Sequence, residues 1–263
     1  MIRALYSAAS GMTAQQTNVE NIANNIANAN TAGFKTRRAQ FQDLLYQSMI
    51  QPGAAANQQN AVPTGLQLGL GTRASSNEII FTQGDFSATN NPLDLVIQGN
   101  GFFQIRRQTG DLAYTRGGTF HLDRTGALVT SDGDFLEPQI TIPQNAQSVT
   151  IAPDGTVSFL QPGQTAAQKV GQIQLALFQN PSGLNSIGRN LYMPTDASGD
   201  PIVAAPGGTE GLGTLLQGYV EQSNVSVVDE FVNLIVSQRA YEANSKVVKA
   251  ADEMYQQVNN IQQ

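Results

Sequence analysis

The chain has 263 residues, a net charge of −6 and no cysteine or tryptophan, and this composition excludes several classes of protein. Without cysteine there are no disulfides, thiol nucleophiles or thiolate zinc sites, and a single histidine, His121, rules out multi-histidine metal sites. The acidic balance argues against nucleic-acid binding by phosphate neutralisation. No apolar run reaches the ~18 residues of a membrane span, so we expect no membrane insertion. What remains is a charge-poor chain in which the 29 Gln and 21 Asn together outnumber the charged residues.

Residues 1 to about 34 are predicted to form a helix that packs along another helix. Two rows of residues recur at seven-residue steps: Leu5, Met12, Val19 and Ile26, and Ile2, Ala9, Gln16 and Ala23. This repeat is typical of a coiled-coil seam. Gly33 is expected to cap the helix. Alone, the helix should be marginal, because its stability must come from packing.

A second helix is predicted from about Val225 to Gln263. Its seam positions also step by seven: Leu234, Tyr241, Val248 and Tyr255, and Ser237, Asn244, Ala251 and Val258. Asp229 and Glu230 suit the positive end of the helix dipole. The two seams are predicted to pair with each other, and two separate amphipathic helices on a middle domain fit the periodicity equally well.

The middle of the chain differs from the ends in composition and in the pattern of apolar residues. Residues 37–76 are predicted to be an extended, weakly structured connector, rich in Gly, Ala and amides. Residues 77–221 carry short apolar-alternating runs separated by turns such as Asn100-Gly101, Asp132-Gly133 and Asp154-Gly155. We therefore predict an α+β fold, in which long N- and C-terminal helices (1–36 and 222–263) form a coiled-coil-like domain and residues 77–221 form a central antiparallel β domain.

No group of side chains predicts catalysis, a cofactor or a metal site. His121 lies on a predicted strand with no nucleophile elbow nearby. The glycine pairs at 69–71 and 99–101 lack the helix that a phosphate-binding loop needs. Asp132 and Asp134 flank a glycine, and an Asp-Gly turn accounts for them without calcium.

The end of the first helix is crowded with amides: Asn24, Asn25, Asn28 and Asn30. Asparagine is a poor residue inside a helix, and a buried amide demands hydrogen-bond partners. Two readings fit this cluster, a solvated, fraying helix end and a packing surface on which neighbouring chains satisfy the amides.

Motifs at both ends and in the middle of the chain match a known family. They lie at residues 10–16 and 24–35, at 221–225 and 230–246, and in between at 41–47, 51–53, 82–84, 93–97, 99–103, 114–116 and 155–157. The ends resemble bacterial flagellar rod and hook proteins, and the middle resembles distal rod subunits in particular. Phe231 departs from the pattern, because a smaller aliphatic residue is usual there, and the stretch after residue 53 is unusually rich in Ala and Gln.

Periodicity and resemblance together predict three sets of functional residues. The N-terminal self-assembly seam comprises Leu5, Met12, Val19, Asn24, Asn25, Ile26, Asn28, Thr31, Gly33 and Phe34. The C-terminal seam comprises Ser223, Asn224, Val225, Leu234, Gln238, Arg239, Tyr241, Asn244, Val248 and Tyr255. The resemblance associates a third set with rod stiffness: Tyr46, Gln51, Pro52, Gly53 and Pro63.

The resemblance implies a structural subunit and not an enzyme. Copies would assemble helically into a rigid hollow drive shaft, the distal rod, that carries motor torque to the hook and encloses the export channel. Implied partners are further copies, proximal rod subunits, the hook protein, the L and P ring bushing proteins, the rod cap and the flagellar type III export apparatus. The implied location is the basal body in the periplasm, crossing toward the outer membrane, reached without a cleavable signal peptide.

Two alternatives stay open on the sequence. One is a neighbouring axial protein, either a proximal rod or a hook-type subunit. The other, from a different class, is a β-domain enzyme or carbohydrate binder with helical extensions.

Overall fold

The computed structural model describes residues 2–51, 55–57, 60–61, 64–164, 166–208 and 211–261. The chain divides into two compact units. The helical unit comprises Met1–Ala27, Arg37–Ile79 and Ser226–Gln263, and the β unit comprises Asn28–Thr36 and Ile80–Val225. The predicted α+β class, with a helix at each end and a central antiparallel β domain, is confirmed.

The helical unit contains two long helices, α1 (Ile2–Ala27) and α2 (Val227–Ile261). The prediction that the first helix continues to about residue 34 is wrong. A turn begins at Asn28, whose carbonyl accepts the Thr31 N–H at 3.0 Å, because asparagine side chains compete with helical backbone bonds. Gly33 has φ +72° and lies beyond the helix end, so it is not the helix cap. Within the described residues, no helix combines the length and apolarity needed to cross a bilayer.

Between the helices, the described part of the helical unit forms antiparallel strand pairs. The strands are β1 (Arg37–Asp43), β2 (Tyr46–Ile50), β3 (Ala55–Asn57), β4 (Asn60–Ala61), β5 (Leu66–Gly69) and β6 (Thr72–Ile79). β1 pairs with β6, β2 with β5 and β3 with β4. These pairs replace the weakly structured connector predicted for residues 37–76. All residues of β2 and β5 are exposed, including Leu66 and Leu68, which alternate with Gln67 and Gly69 in β5. This alternation is too short to separate a strand from a loop by periodicity alone.

The β unit is built from short strands joined by tight turns. They are β7 (Phe86–Ala88), β8 (Leu95–Gln98), β9 (Phe102–Arg106), β10 (Leu112–Thr115), β11 (Phe120–Leu122), β12 (Leu128–Thr130), β13 (Phe135–Glu137), β14 (Ser148–Ile151), β15 (Thr156–Leu160), β16 (Gln168–Gln172), β17 (Leu175–Leu177), β18 (Asn185–Gly188), β19 (Leu191–Met193), β20 (Ile202–Ala204), β21 (Thr214–Gln217) and β22 (Tyr219–Glu221). A 3₁₀ turn occupies Pro181–Gly183. The predicted turn glycines 101, 133 and 155 all have positive φ, which glycine adopts without steric cost.

The main sheet has the order β11-β12-β13-β9-β10-β19-β18, and β17 joins both β9 and β20. β14, β15 and β16 form a second sheet, while β8 pairs with β21 and β7 with β22. Strand β9 is buried on both faces. Phe103 and Ile105 enter the main apolar core, and Phe103 meets Phe120 edge to face at 5.2 Å. On the other face, Phe102 packs edge-on against Phe81 and Phe178.

We expect Ile105→Ala to destabilise the β unit by about 2–5 kcal/mol, because Ile105 is fully buried and the change leaves a cavity. Urea unfolding followed by far-UV circular dichroism measures this cost. Ile202→Ala is the matched control, since Ile202 is 50% exposed and should change stability by less than about 1 kcal/mol. Equal losses for the two variants would contradict the placement of the core on β9.

Candidate functional site

The two helices pair antiparallel through small and polar side chains. Three contacts recur at seven-residue steps: Gly11 with Asn244, Asn18 with Ser237, and Asn25 with Glu230. Asn18 Nδ2 donates to Ser237 Oγ at 2.8 Å. A Cβ on Gly11 would lie only 2.8 Å from Asn244 Nδ2, so a larger residue would require the Asn244 side chain to move. As the α1 number rises by seven, the α2 number falls by seven, which is the geometry of an antiparallel heptad seam.

The predicted seam on α1 is displaced from this contact line. Its large apolar row is half-buried: Leu5, Met12, Val19 and Ile26. The second predicted row is wrong where it is described, because it is exposed: Ala9, Gln16 and Ala23. The fully buried helix positions include Ala8 and Ile22. Close packing of helices on small residues moves the seam away from the largest side chains, and periodicity of large residues cannot reveal that.

On α2 most predicted seam residues face inward. Ser237 and Ala251 are buried, and a further group is half-buried: Leu234, Asn244, Val248 and Tyr255. Tyr241 is 44% exposed. Gln238 and Arg239 point outward, and Arg239 pairs with Glu242 at 3.2 Å on the surface. These contacts lie within one chain, so the part of these residues in assembly stays a prediction.

Asn25 is the buried polar centre of the helical unit. Its Nδ2 donates to the Arg37 carbonyl and its Oδ1 accepts the Arg37 N–H, both at 2.9 Å. The same amide hydrogen-bonds the Glu230 carboxylate, and burial raises the pKa of Glu230 above its ordinary value despite this bond. Asn25 therefore needs no neighbouring chain, and the interpretation that subunit packing must satisfy it is wrong. Asn24 and Asn28 also have interactions, whereas Asn30 is exposed.

The raised pKa of Glu230 predicts that stability falls as pH rises. The folded chain holds this proton more tightly than the unfolded chain, whose pKa is near 4.5. The stabilisation is complete below that value and is lost as pH rises through the folded pKa. Melting curves of the full chain from about pH 4 to about pH 7 should show this loss, reduced in Glu230→Gln. Glu242→Gln, on the exposed face of α2, should keep the wild-type slope; an unchanged slope in Glu230→Gln would contradict the assignment.

Apolar side chains stay exposed on the first turns of α2. Val228, Val232 and Ile235 share one face at helical spacing, and Val228 is 73% exposed. Phe231, the departure from the family pattern, lies beside them and is 49% exposed. A contiguous apolar stripe of this kind marks an interaction surface.

The β2–β5 hairpin is a second exposed apolar surface. Leu45, just before β2, is 84% exposed, and Tyr46, Met49 and Leu66 are also exposed. Tyr46 begins β2, and Gln51 follows its end, exposed. The remaining residues predicted for rod stiffness, Pro52, Gly53 and Pro63, lie outside the described residues.

The terminal motifs meet in the β unit at a buried ion cluster. Lys35 Nζ donates to Glu221 Oε1 at 2.6 Å and to the Thr82 carbonyl at 2.7 Å. Glu221 Oε2 lies 3.2 Å from Arg116 Nε, and all three charged side chains are at most 4% exposed. Gly84 N–H donates to the same carboxylate at 3.0 Å. Burial lowers the pKa of Lys35, and Glu221 opposes that shift.

Arg116 extends the cluster into the turn at residues 99–101. Its Nη1 donates to the carbonyls of Gly99 and Gly101 at 2.9 and 2.7 Å, and its guanidinium lies over the Phe102 ring at 5.9 Å. The glycines at 99 and 101, considered above for phosphate binding, therefore lie in a turn that Arg116 fixes through hydrogen bonds to their carbonyls.

Asn224 forms a second polar centre in the β unit. Its Oδ1 accepts the Thr36 N–H and Oγ1, both at 2.8 Å, and its Nδ2 donates to the Ile80 carbonyl at 2.9 Å. Ser223 Oγ accepts the Val225 N–H at 3.3 Å. These bonds join residues 36, 80 and 224 into one local structure.

Gly33 and Phe34 are also buried within the chain. Gly33 N–H donates to the Glu221 carbonyl at 2.8 Å, and a Cβ on Gly33 would lie 2.6 Å from the backbone nitrogen of Gly117. Phe34 is 7% exposed. The structure therefore uses Gly33, Phe34 and Asn224 inside the subunit, where the sequence predicted an assembly seam. Sequence reasoning missed the ion cluster of Lys35, Arg116 and Glu221, although charged residues inside the motifs of a charge-poor chain were a usable signal.

We expect Glu221→Gln to destabilise the β unit by about 3–5 kcal/mol, because it leaves two buried cations without their counter-charge. Chemical denaturation of the full chain measures the change. Glu137→Gln is the control: its partner Arg106, at 3.0 Å, is 55% exposed, so the loss should be about 0–1 kcal/mol. Similar losses in both variants would mean that the buried cluster contributes no more to the free energy of unfolding than an exposed ion pair does.

A polar cavity of about 420 Å³ opens on the β unit. Its lining includes Asn28 and Thr31 of the predicted seam, where Thr31 Oγ1 donates to Asn28 Oδ1 at 3.3 Å. At its mouth, Arg189 Nε lies 3.8 Å from Asp132 Oδ2. Arg189 and Asn190 form the two-residue turn between β18 and β19, with φ +55° and +56°. An arginine in this left-handed region costs about 1–2 kcal/mol relative to an ordinary backbone conformation.

The other candidate catalytic residues do not converge. His121 is exposed, and its Nε2 lies 3.3 Å from Ser131 Oγ. Asp134 is buried and accepts the Gln108 N–H, whereas Asp132 faces solvent. The described residues contain no group of three His, Asp or Glu side chains that could hold a metal ion.

Three sequence families match successive parts of the chain. Residues 5–35 match the flagella basal body rod protein family, residues 96–159 the D1 domain of the flagellar hook protein FlgE/F/G family, and residues 216–261 the C-terminal region of the flagellar basal body rod FlgEFG family. All three descriptions are of rod and hook proteins, a class of structural proteins of the flagellum.

Full-length relatives narrow this class. The chain is 51% identical over 261 residues to a flagellar basal-body rod protein FlgG of Caulobacter vibrioides, covering 99% of each chain. It is 45% identical to the protein of that name from Borreliella burgdorferi and 42% identical to that from Bacillus subtilis, again covering 99% of each chain. The chain therefore belongs to the FlgG family of flagellar basal-body rod proteins.

Proposed function

We propose that the protein acts by polymerisation, as the structural subunit of the bacterial flagellar distal rod. Copies assemble helically into a rigid hollow shaft that transmits motor torque to the hook and encloses the export channel. The observation that carries this proposal is the apolar surface left exposed on the helical unit by α2 and the β2–β5 hairpin. Membership of the rod-protein family supplies the context, a structural protein of the basal body.

The stripe on α2 has the character of a subunit contact. A single chain that left Val228, Val232 and Ile235 in water would forgo roughly 25 cal/mol for each Å² that burial would remove. A helical polymer covers such a stripe with a different patch of the next copy, because its interfaces are heterologous. Two separate apolar surfaces are what a subunit with several neighbours requires.

The hairpin supports the proposed role of residues 46–63 in stiffness. β2 and β5 form a paired ribbon with apolar side chains outward. A ribbon of this kind, once packed against a neighbouring copy, ties subunits through a hydrogen-bonded element and resists bending more than a loose connector does. The exposed Leu45 and Met49 are the residues we assign to that contact.

A place in the distal rod also implies partners other than further copies of this chain. The proposed set comprises proximal rod subunits, the hook protein, the L and P ring bushing proteins, the rod cap and the flagellar type III export apparatus. The proposed location is the periplasm, crossing toward the outer membrane. The charge-poor α1, in which only Arg3 and Glu20 are charged, fits dense packing, since like charges would otherwise repeat at every subunit.

The test is a charge placed in the stripe. Ile235→Asp should raise the critical concentration for polymerisation at least tenfold, equivalent to about 1.4 kcal/mol per contact. Sedimentation and negative-stain electron microscopy of the full chain measure it, and the melting curve should stay that of the wild type, since Ile235 is 57% exposed.

Ile202→Asp, at an exposed position of the β unit, is the matched control and should polymerise normally. Normal tubes from Ile235→Asp would remove the stripe from the assembly surface. Equal loss in both variants would show that any surface charge blocks polymerisation and that the stripe has no special part in it.

A further inference from the structure

The polar cavity of the β unit is not explained by polymerisation. It measures about 420 Å³, within the range of roughly 300–1,000 Å³ typical of small-molecule sites. Its walls carry hydroxyl and amide side chains: Thr31, Thr115, Thr119, Thr130, Ser131 and Asn190. Leu191 and Ala32 contribute the small apolar part. Subunit contacts concentrate binding energy on Trp, Tyr and Arg side chains, and the described lining holds one arginine and no aromatic ring.

The backbone around the cavity is rigidly set. Asn190 Nδ2 donates to the Ala32 carbonyl at 3.0 Å, and the Asn190 carbonyl accepts Thr115 Oγ1 at 2.8 Å. The turn therefore stays fixed against two other segments of the β unit. Such a frame is pre-organised for a ligand, because little ordering remains to oppose binding.

The backbone strain at Arg189 is the feature that favours a ligand-binding role for the cavity. Glycine or asparagine would fit the left-handed position of Arg189 better, and its ion pair with Asp132 is loose, with side chains 66% and 44% exposed. An exposed pair of this length adds little to stability. Strained residues cluster at ligand-binding sites, and this one places a forked donor in the cavity lining.

The charge of the lining selects the ligand. One arginine faces one aspartate, so among the described lining residues the formal charges cancel. An anion at Arg189 would lie beside the like charge of Asp132, and a cation at Asp132 would lie beside the like charge of Arg189. A neutral ligand with many hydroxyl groups can accept from Arg189, donate to Asp132 and exchange hydrogen bonds with the threonine hydroxyls at once.

We propose that this cavity binds a neutral saccharide of one or two sugar rings. The inference goes beyond the structural function, because it assigns a ligand to the β unit of a protein that acts by assembly. Lacking an aromatic platform, the site should bind weakly, with a Kd of roughly 1 mM.

The experiment titrates the full chain with N,N′-diacetylchitobiose and follows backbone amides by two-dimensional NMR. We expect saturable shifts at Thr119, Ser131 and Asn190. Arg189→Gly should weaken binding at least tenfold while the melting temperature stays the same or rises, because glycine suits the turn. Thr119→Val is the second binding variant, and Arg124→Ala, an exposed arginine elsewhere on the β unit, is the control that should bind normally.

Three results would overturn the proposal. The first is no saturable shift up to about 20 mM sugar, which is far above the expected Kd. The second is undiminished binding in both Arg189→Gly and Thr119→Val. The third is a shift of the same amides on raising protein concentration without sugar, which would make the cavity a contact between copies.

Discussion

The fold of the β unit depends on one buried carboxylate. Glu221 neutralises two buried cations, Lys35 and Arg116, and each would carry a desolvation cost of several kcal/mol without it. Through its partners the carboxylate joins the segment after α1 and the strand before α2 to the turn at residue 99. Asn224 repeats this design with neutral groups. Residues of the terminal motifs of the rod family therefore stabilise the folded β unit within one chain.

Part of this architecture could be predicted from the sequence, and the reasons are local. The α+β class follows from seven-residue repeats at both ends and from Gly-containing turns between short apolar runs. The end of α1 at Ala27 could not be predicted from the repeat, because Asn28 and Thr31 form a local turn that stops the helix. The strands of residues 37–79 were missed because most of their side chains are exposed and the apolar alternation in β5 is short.

The candidate sites show the same division. The α2 seam could be predicted, since Leu234, Val248 and Tyr255 turn inward. The α1 seam could not, because its contacts with α2 include Gly11, Asn18 and Asn25, and small or polar residues give a weak periodic signal. The ion cluster was missed because Lys35, Arg116 and Glu221 are distant in sequence. Only the folded β unit brings them together.

The helical unit and the β unit are stabilised by different means. The recurring contacts of the seam between α1 and α2 are made by amides, a hydroxyl, a carboxylate and a glycine. The exposed stripe of α2, by contrast, is apolar. Such a distribution favours a subunit whose helices gain much of their stability from neighbouring copies, while the β unit, with a full apolar core, is stable within one chain.

The ion pair between Lys35 and Glu221 spans 186 positions of sequence, and this separation sets an order in time. A chain emerges from the ribosome N-terminus first, so Lys35 is made long before its counter-charge exists. Until residue 221 follows, burying Lys35 is unfavourable and the β unit has no closed state. Closure is therefore a late event, coupled to the arrival of the segment that leads into α2. A truncated chain that ends before that segment would keep Lys35 in water and its β unit open.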